Sequence, residues 1–444
     1  MTEIKKGNLL VEGKTKNIFE VLGDERCIIA ENKPDITRDN DPDLTRQFAK
    51  KAEYATNTTC RIFELLRQAG IPVAYMRQLS LTEFLAEKCE MIPLEVVARR
   101  YAVGSYLKRY PHLKQPERAP PLRFNNLVVE FFLKTTNGKL VGKDGKVLVD
   151  GLTKAEEDPF IAYPDSDDIE WRLFHPKKPS WEEGADLERT IDPFEDVLGN
   201  EEFIDGVEDI LRDVFLVIEG AFGNLGYRFI DLKIEFGVNS EDELVIADVI
   251  DNDSWRLKTF DWEELSKEAF RQGEELDEVE KKYGFVSYFV NQFRIPKQVI
   301  VFWRGSEKDD FPKIGKEFKK ARIEIEEVTL SGHKSSIKCS RKLNELAAKY
   351  PEGGVIITKV GMSNGLGPTL AARTSWPVIA VPASVKGFPE DVWSSLRMPS
   401  NVPMMTVLSE KNALLTALNI FAQKNPLAYW QRQKVIEELD ESLY

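Results

Sequence analysis

Apolar and polar residues alternate most regularly near the middle of the chain, in residues 229–257. Two apolar runs carry acidic residues at alternate positions, and a polar segment at residues 239–243 joins them. This pattern predicts the two strands of an antiparallel hairpin. Because Asp231, Lys233 and Glu235 are spaced by two, they share one face of the first strand, and its other face is apolar. We therefore expect one face of the hairpin to join the core and the other to carry chemistry.

The other patterns of the first half predict a mixture of strands and helices. Helical spacing covers residues 45–69 and 201–222, and Gly13 separates two strands within residues 9–21. Further strands are predicted at residues 71–77, from residue 90 onward, and at residues 128–134. Residues 138–151 predict a polar glycine hairpin, whereas residues 158–200 are rich in Pro, Asp, Glu and Trp and predict an irregular surface excursion.

In the second half, fully apolar runs alternate with helical ones. Strands are predicted at residues 298–303, 323–330, 354–360 and 378–381. A charged helical segment at residues 262–293 precedes them, and an amphipathic segment at residues 313–321 and a helix at residues 337–349 lie between them. This alternation predicts a parallel sheet covered on both faces, with ligands at the carboxyl ends of its strands. Turns that contain Gly or Ser follow three of these strands, although any single turn could have a structural role only.

Composition changes this picture by restricting the ligands and the compartment. A chain of 444 residues exceeds one core and predicts two, possibly three, domains. The net charge of −13 argues against nonspecific binding of nucleic-acid polymers or anionic membranes. The four Cys residues form no Cys-x-x-Cys pair, which argues against a zinc site and favours a reducing compartment. With neither a signal-like start nor a membrane-length apolar run, we expect a cytoplasmic protein.

The acidic residues of the hairpin region favour a bound cation. Asp248 emerges from the second run, and Asp251, Asp253 and Arg256 follow it closely. Several carboxylates that converge beside one Lys and one Arg are costly to hold together unless a cation lies among them. The alternative is a solvated acidic face on an edge hairpin.

A basic stretch in this acidic chain suggests a phosphate site. Arg99, Arg100, Ser105, Lys108 and Arg109 surround a glycine, and guanidinium, ammonium and hydroxyl groups are what a phosphate monoester requires. The alternative is a merely solvated basic loop. The preceding apolar segment, next to a proline, is suited to hold an adenine through backbone hydrogen bonds.

The first glycine hairpin could contact an anion. The run Gly13-Lys14-Thr15 suggests a P-loop, but that motif requires a glycine where Asn8 stands and a helix afterwards, whereas a strand is predicted here. What remains is a hairpin flanked by Lys14 and Lys16, although an ordinary surface hairpin explains the stretch equally well.

Four blocks in residues 7–260 resemble phosphoribosylaminoimidazole-succinocarboxamide synthase. They are Glu12–Lys16, Glu90–Glu95 with Arg99 and Gly104-Ser105, Asp231–Gly237, and Ala247–Arg256. The resemblance implies use of ATP and Mg²⁺ to activate the carboxylate of carboxyaminoimidazole ribonucleotide, which the nitrogen of L-aspartate then attacks. One departure from the family is Lys134-Thr-Thr136, where Lys-Asp-Asp or Lys-Asn-Asp is usual, with the familiar Asp-Pro displaced to Asp158-Pro159 by an insertion.

By position, the resemblance implies roles for individual residues of the ligase half. The residues expected to contact ATP are Lys14, Lys16, Glu90 and Ile92. Those expected to bind the nucleotide substrate are Arg99, Ser105, Asp253 and Arg256. Glu235 and Asp248 are the expected magnesium ligands, and Asp231 and Lys233 are counted as catalytic.

The second half resembles the animal-type phosphoribosylaminoimidazole carboxylase. The matching blocks are Gly305–Asp309, Ser331–Lys334, Gly361–Pro368 and Asp391–Arg397. The chain departs from the family at Gly332 for Ala, Met362 for Arg, and Ser335-Ser336 for Gly-Pro or Thr-Pro.

The carboxylase resemblance implies a second set of roles. His333 would move the proton as CO2 adds to the imidazole carbon, with Lys334 nearby, although a buried core histidine is the alternative for His333. The turn with Ser306 and Asp309 would bind the ribose phosphate. Ser363 would lie at the CO2 site, and Asn364 is counted with the substrate residues.

Together the resemblances predict a bifunctional purine-pathway enzyme. The expected fold is an α+β, two-lobed ATP-binding ligase domain at residues 1–260, a helical linker at 261–296, and a three-layer α/β domain with a parallel, flavodoxin-like sheet at 297–444. The expected partners are aminoimidazole ribonucleotides, CO2, L-aspartate and ATP, with no organic cofactor in the carboxylase half and a homo-octamer formed through it. One alternative is an active ligase whose second half is mainly an assembly scaffold. A nucleotide sensor without turnover is disfavoured because Glu235 and Asp248 are both present.

Overall fold

The structure is a computed structural model that describes residues 4–37, 44–142, 145–162, 171–191, 197, 202–310 and 323–441. The chain forms two compact units, Met1–Arg294 and Ile295–Tyr444. Residues 261–294, nearly all of the segment expected to be a linker, therefore belong to the first unit. The amphipathic segment predicted at residues 313–321 lies outside the described residues.

The strands of the first unit build two large antiparallel sheets and two additional two-stranded sheets. In chain order they are β1 (Lys6–Glu12), β2 (Lys16–Val21), β3 (Asp24–Asn32), β4 (Asp35–Thr37), β5 (Thr45–Gln47), β6 (Tyr75–Gln78), β7 (Glu83–Glu87), β8 (Glu90–Tyr101), β9 (Arg123–Leu133), β10 (Leu140–Val141), β11 (Val147–Val149), β12 (Phe160–Ala162), β13 (Arg172–Phe174), β14 (Asp186–Thr190), β15 (Arg228–Val238), β16 (Leu244–Ile246) and β17 (Trp255–Lys258).

The smaller of these sheets has the order β1-β2-β3-β7-β6 and the larger β14-β13-β12-β9-β8-β15-β16, with β17 also paired to β15. The predicted hairpin is confirmed, because Phe236 pairs with Ile246 in antiparallel register. The irregular excursion predicted at residues 158–200 is wrong in its described part. Strands β12, β13 and β14 extend the larger sheet there, and Ile161 and Leu173 are buried.

Helices cover the apolar sides of these sheets. They are α1 (Lys51–Ala69), α2 (Ser105–Arg109), α3 (Glu202–Gly223), α4 (Glu268–Arg271) and α5 (Leu276–Val290), with a short 3-10 turn at Pro111–Leu113. Helix α1 begins later than its sequence pattern predicts, because Thr45–Gln47 forms strand β5; it ends as expected at Gly70, which is left-handed. Helix α3 packs on β15, whose residues Ile230, Leu232 and Ile234 are buried.

The second unit is a parallel sheet with helices, as the alternating pattern predicts. Its strands are β18 (Val299–Arg304), β19 (Glu324–Thr329), β20 (Gly354–Val360), β21 (Val378–Pro382) and β22 (Met405–Thr406). Its helices are α6 (Ser336–Lys349), α7 (Leu366–Ala371), α8 (Trp393–Leu396), α9 (Glu410–Phe421) and α10 (Pro426–Glu441), with a 3-10 turn at Pro389–Val392.

Both faces of the parallel sheet are covered. Along β18, Val301 and Trp303 join one buried cluster, and Ile300 and Phe302 join another. Among the described residues the strand order is β19-β18-β20-β21-β22, so β19 and β22 form the two edges, and β19 carries Glu324, Glu326 and Glu327. The order reverses direction between β18 and β20, and the carboxyl ends of strands at such a switch point are where ligands bind in open α/β sheets.

No helix in the described part of the chain is long and apolar enough to cross a membrane.

Candidate active sites

The charged face of β15 lies between two arginines. The antiparallel register places Arg99 of β8 and Arg256 of β17 on either side of Asp231. Arg99 Nη1 donates to Asp231 Oδ2 at 2.6 Å, and Arg256 Nη1 donates to the same oxygen at 2.5 Å. Asp231 is only 5% exposed. A carboxylate this buried needs such compensation, which excludes the solvated acidic face for this part of the hairpin.

The basic loop also makes defined side-chain contacts and is not simply exposed to solvent. Arg99 donates through Nη2 to Ser105 Oγ at 3.2 Å and through Nε to Glu130 Oε2 at 2.5 Å. The other oxygen of Glu130 accepts from Arg109. Arg99 and Arg109 are each 4% exposed and Glu130 is 3% exposed. An alternating chain of cations and anions therefore runs from Arg109 to Arg256 across the sheet.

Gly104 lets the basic loop approach this chain of charges. Its φ is +60°, a conformation that residues with a side chain rarely adopt, and a Cβ there would lie 2.7 Å from Arg256 Nη2. The glycine of the Gly-Ser motif therefore brings Ser105 and Arg256 to one place. The structure thus brings together Arg99, Ser105 and Arg256, three of the four residues expected to bind the nucleotide substrate.

Each of the two expected metal ligands is held by a lysine. Lys134 Nζ lies 2.5 Å from Glu235 Oε1, and Lys16 Nζ is paired with Asp248 Oδ1. Burial lowers the pKa of Lys16 to about 8. The described residues contain no group of three or more His, Cys, Asp or Glu that could hold a metal by themselves. Protein groups alone therefore supply an incomplete donor set.

Lys233 pairs with a residue that the sequence did not single out. Its Nζ lies 2.8 Å from Glu95 Oε2 across the β8–β15 ladder, and Glu95 raises the pKa of Lys233 above its usual value. Among the residues expected to contact ATP, Lys14 and Glu90 are exposed and Ile92 is buried. The hairpin predicted around Gly13 is confirmed by the pairing of β1 with β2.

Asp253 is surrounded by protein partners. Its carboxylate lies 3.0 Å from Lys267 Nζ and 3.5 Å from Lys51 Nζ, and it accepts the Tyr283 hydroxyl at 2.6 Å. Burial alone would raise the pKa of Asp253, but the two ammonium groups hold it well below its usual range. These contacts connect the loop that follows the hairpin to helices α1 and α5. In the structure Asp253 therefore fixes the position of this loop.

The carboxylase motifs meet at the carboxyl end of the parallel sheet. Arg304, the last residue of β18, pairs with Thr329 of β19 on one side and Lys359 of β20 on the other. The three strand ends are therefore level, and the turns that follow them are neighbours. In the first turn, Ser306 Oγ donates to Asp309 Oδ2 at 3.1 Å.

His333 packs against the third turn. A Cβ added to Gly365 would lie 2.2 Å from both Cε1 and Nε2 of the His333 ring, so the ring rests on the backbone of that turn. His333 and Lys334 are both exposed, which excludes the buried core histidine. Ser363, two residues before Gly365 in the same turn, is also exposed, and its neighbour Met362 has a left-handed φ of +65°.

Asn364 is occupied within the turn itself. It is 7% exposed, donates through Nδ2 to Ser395 Oγ at 2.9 Å, and accepts the Gly367 amide at 2.8 Å. These bonds connect the third turn to helix α8 and shape the start of α7. The structure therefore places Asn364 behind the surface that Ser363 and His333 present.

Sequence reasoning missed the partners that hold the site residues. Glu95 and Glu130 lie on β8 and β9, Lys51 is the first residue of α1, and Lys267 lies just before α4. A signal existed for Glu130, because it is the one polar residue in the apolar run at residues 127–133. Its partner could not be inferred, because only the β8–β9 register brings it beside Arg99.

The departure at Gly332 leads to a prediction. A Cβ at this position would lie 2.5 Å from Gly365 O and 2.6 Å from Leu366 Cα, both backbone atoms. We expect Gly332→Ala to destabilise the second unit by about 1–3 kcal/mol and to displace the third turn, because overpacking forces the backbone to move. Thermal unfolding checks this, with Gly387→Ala as the control, since its nearest neighbour is 4.0 Å away. Equal midpoints for the two variants would contradict the expected clash.

Comparison with known proteins accounts for both units. The family model of SAICAR synthetase matches residues 9–150 and 179–286, and that of AIR carboxylase matches residues 299–441. The probable multifunctional protein ADE2 of Caenorhabditis elegans is 33% identical over 95% of this chain and 91% of its own length. The bifunctional phosphoribosylaminoimidazole carboxylase/phosphoribosylaminoimidazole succinocarboxamide synthetase of Rattus norvegicus is 31% identical over 95% of this chain and 92% of its own.

Among solved structures, phosphoribosylaminoimidazole-succinocarboxamide synthase from Ehrlichia chaffeensis is 21% identical, with a TM-score of 0.48, over 65% of this chain and all of that one. The match to the SAICAR synthetase family leaves out residues 151–178 of the present chain. This unmatched stretch includes strands β12 and β13.

Proposed function

The chain belongs to the SAICAR synthetase family in its first unit and the AIR carboxylase family in its second, and we propose the following division of work between them. The protein is a bifunctional enzyme of purine biosynthesis. The second unit carboxylates aminoimidazole ribonucleotide, and the first unit uses ATP to condense the carboxylated product with L-aspartate. The single observation that supports this most strongly is the match of relatives with both activities over 95% of the chain. Because each unit belongs to an enzyme family, we retain two activities rather than an enzyme with a scaffold.

We assign the phosphate of the ligase substrate to the arginine pair. Arg99 and Arg256 already share one acidic partner and lie beside Ser105. Guanidinium groups that are fixed in this way lose little freedom when they bind phosphate oxygens, which favours a bidentate contact. Asp231 holds both arginines in place. Lys233 lies on the same face of the strand, between Asp231 and the expected magnesium ligand Glu235.

The donor set near the hairpin fits magnesium. Mg²⁺ commonly binds one or two carboxylates and completes its shell with water and substrate phosphates, so a pair of acids is sufficient. Glu235 and Asp248 would hold it, and each now carries a lysine ammonium, which is the charge that a cation would supply. When bound, the metal neutralises charge on the polyphosphate during phosphoryl transfer. Lys14 and Lys16 would contact the ATP phosphates, with Glu90 and Ile92 near the adenine.

In the carboxylase unit we assign proton transfer to His333. As CO2 forms a bond to the imidazole carbon of the substrate, the proton on that carbon must leave. The exposed His333 ring, which rests on the turn that contains Ser363, can accept it. Lys334 adds positive charge beside it. Ser306 and Asp309 would bind the ribose phosphate, Ser363 would contact CO2, and Asn364 would fix the turn. No organic cofactor is required for this step.

We further propose a homo-octamer that assembles through the second unit, and a cytoplasmic location. All four cysteines are free thiols, which fits a reducing compartment.

The test separates the two activities. The protein is supplied with aminoimidazole ribonucleotide and bicarbonate, without ATP or aspartate, and the carboxylated nucleotide is measured. In a second assay it is supplied with carboxyaminoimidazole ribonucleotide, aspartate and Mg-ATP, and ADP release is measured. Product in both assays is expected. Ligation without carboxylation would favour the scaffold alternative.

Arg99→Ala is expected to weaken binding of the nucleotide substrate far more than binding of ATP. A charge-assisted phosphate contact contributes about 1.5–3 kcal/mol. The measurements are the Michaelis constants for the nucleotide substrate and for ATP. The same constants are measured for Arg99→Lys, which retains the positive charge and so leaves Asp231 and Glu130 with a cationic neighbour. Arg26→Ala is the control, because its side chain is 76% exposed on the other sheet. Equal changes in both constants would remove Arg99 from the phosphate site.

A further inference from the structure

The segment that the family match leaves out reaches the buried charges of the ligase site. Strands β12 and β13 continue the larger sheet beside β9, where Phe160 pairs with Phe132 and Phe174. Just after β13, the carbonyl of Pro176 accepts a hydrogen bond from Arg109 Nη1 at 2.6 Å. We name Phe160–Ala162 and residues 172–176 the buttress. The described part of the unmatched segment is thus ordered structure at the site.

Arg109 is held by the buttress and by strand β9. Its guanidinium carbon lies 4.7 Å from the centroid of the Phe160 ring and 5.3 Å from that of Phe132, and the two centroids are 5.6 Å apart, so the group packs against both of these adjacent rings. One terminal nitrogen donates to Pro176 and the other to Glu130. Arg109 Nε has no hydrogen-bond partner within the described residues. The rings and these two bonds therefore determine where the guanidinium lies.

Glu130 transmits this placement to Arg99. One of its oxygens accepts from Arg109 and the other from Arg99 Nε, so the carboxylate lies between the two guanidiniums. All three side chains are at least nine-tenths buried. In such a low-dielectric environment, displacement of one member leaves a neighbouring charge poorly compensated, so the members move together. Phe160 and Pro176 can therefore influence a residue that they do not touch.

We propose that the buttress is a positioning element that tunes the affinity of the ligase unit for the phosphate of its nucleotide substrate, acting through Arg109 and Glu130 on Arg99. The inference rests on the proposed function, because it requires Arg99 to bind that phosphate. It assigns a role to a segment outside the family match, and it predicts that affinity for the phosphate end depends on residues remote from it in sequence.

The test measures binding of the ligase product, the succinocarboxamide ribonucleotide, by calorimetry to the full-length protein. Its dephosphorylated nucleoside and ADP are measured in parallel. Phe160→Leu and Arg109→Lys are each expected to weaken nucleotide binding about tenfold, a coupling typical of residues in one buried network. Nucleoside and ADP affinities should stay within about twofold, since they do not depend on the phosphate contact. Phe160→Tyr, which keeps the ring, should behave like the wild type.

A double-variant comparison identifies the route. In an Arg99→Ala background, Phe160→Leu should cause no further loss, because the contact that it tunes is already gone. Phe260→Leu is the matched control, since Phe260 is 71% exposed elsewhere in the same unit. If Phe160→Leu weakens the nucleoside or ADP equally, or acts fully in the Arg99→Ala background, the buttress proposal is overturned and the phosphate site stands. If Arg99→Ala itself binds nucleotide normally, the phosphate site fails, and the buttress proposal fails with it.

Discussion

His333→Asn is expected to reduce carboxylation of aminoimidazole ribonucleotide by about 100- to 10,000-fold, the usual contribution of general acid–base catalysis. ATP-dependent ligation from supplied carboxyaminoimidazole ribonucleotide should remain nearly unchanged, because His333 lies in the second unit. The substitution keeps a polar side chain of similar reach but removes the group that can exchange a proton near neutral pH. Because His333 is exposed on the turn, the fold should tolerate the change.

The control for this variant is His112→Asn, the same chemical change at an exposed histidine of the first unit. Both activities should be retained there. Intact carboxylation in His333→Asn would mean that the proton leaves by another route. If the wild-type protein itself shows no carboxylation, Met362→Arg is the first reversion to make, because Met362 stands where the carboxylase family has an arginine.

Asp248→Asn and Glu235→Gln are each expected to lower ligase turnover by about 100-fold or more. Loss of an outer-shell partner of a metal already costs about 10- to 100-fold, and a direct ligand should cost at least the upper end of that range. Each substitution removes a charge while keeping the shape of the side chain. A second readout is the magnesium dependence of ADP affinity, which should weaken in both variants and does not require turnover.

Asp242→Asn is the matched control, since Asp242 is exposed in the turn of the same hairpin and its left-handed φ suits asparagine as well. It should behave like the wild type. A wild-type rate in either metal-ligand variant at saturating magnesium would remove that residue from the metal site, and the donor set would have to be reassigned.

The hairpin shows what an alternating pattern can predict. A period of two on β15 was enough to place Asp231, Lys233 and Glu235 on one face and to assign the opposite face to the core. The parallel sheet was equally accessible, because its buried strands are long apolar runs separated by helices. In both cases the information lies within one element and its immediate neighbours.

The parts that the sequence did not predict depend on contacts between distant residues. The three-residue strands β12 and β13 are too short for their period to be distinguished from irregular chain. The pairing of β12 with β9 and of β13 with β12 decides their structure. Lys134 faces Glu235 across 101 positions of sequence. The charge partners of the site are likewise set by sheet register, which one sequence does not encode locally.

The edges of the parallel sheet have a consequence for behaviour at high concentration. An exposed edge strand offers unpaired backbone groups to any other strand, and proteins counter the resulting aggregation with charge or with very short edges. Both devices occur here: β22 has only two residues, whereas β19 carries three glutamates. A second copy of β19 laid along the first would set carboxylates against carboxylates, which repel. Strand addition at this edge is thus disfavoured, and neutralising substitutions at Glu324 and Glu327, both exposed, should make the protein more prone to form fibrils.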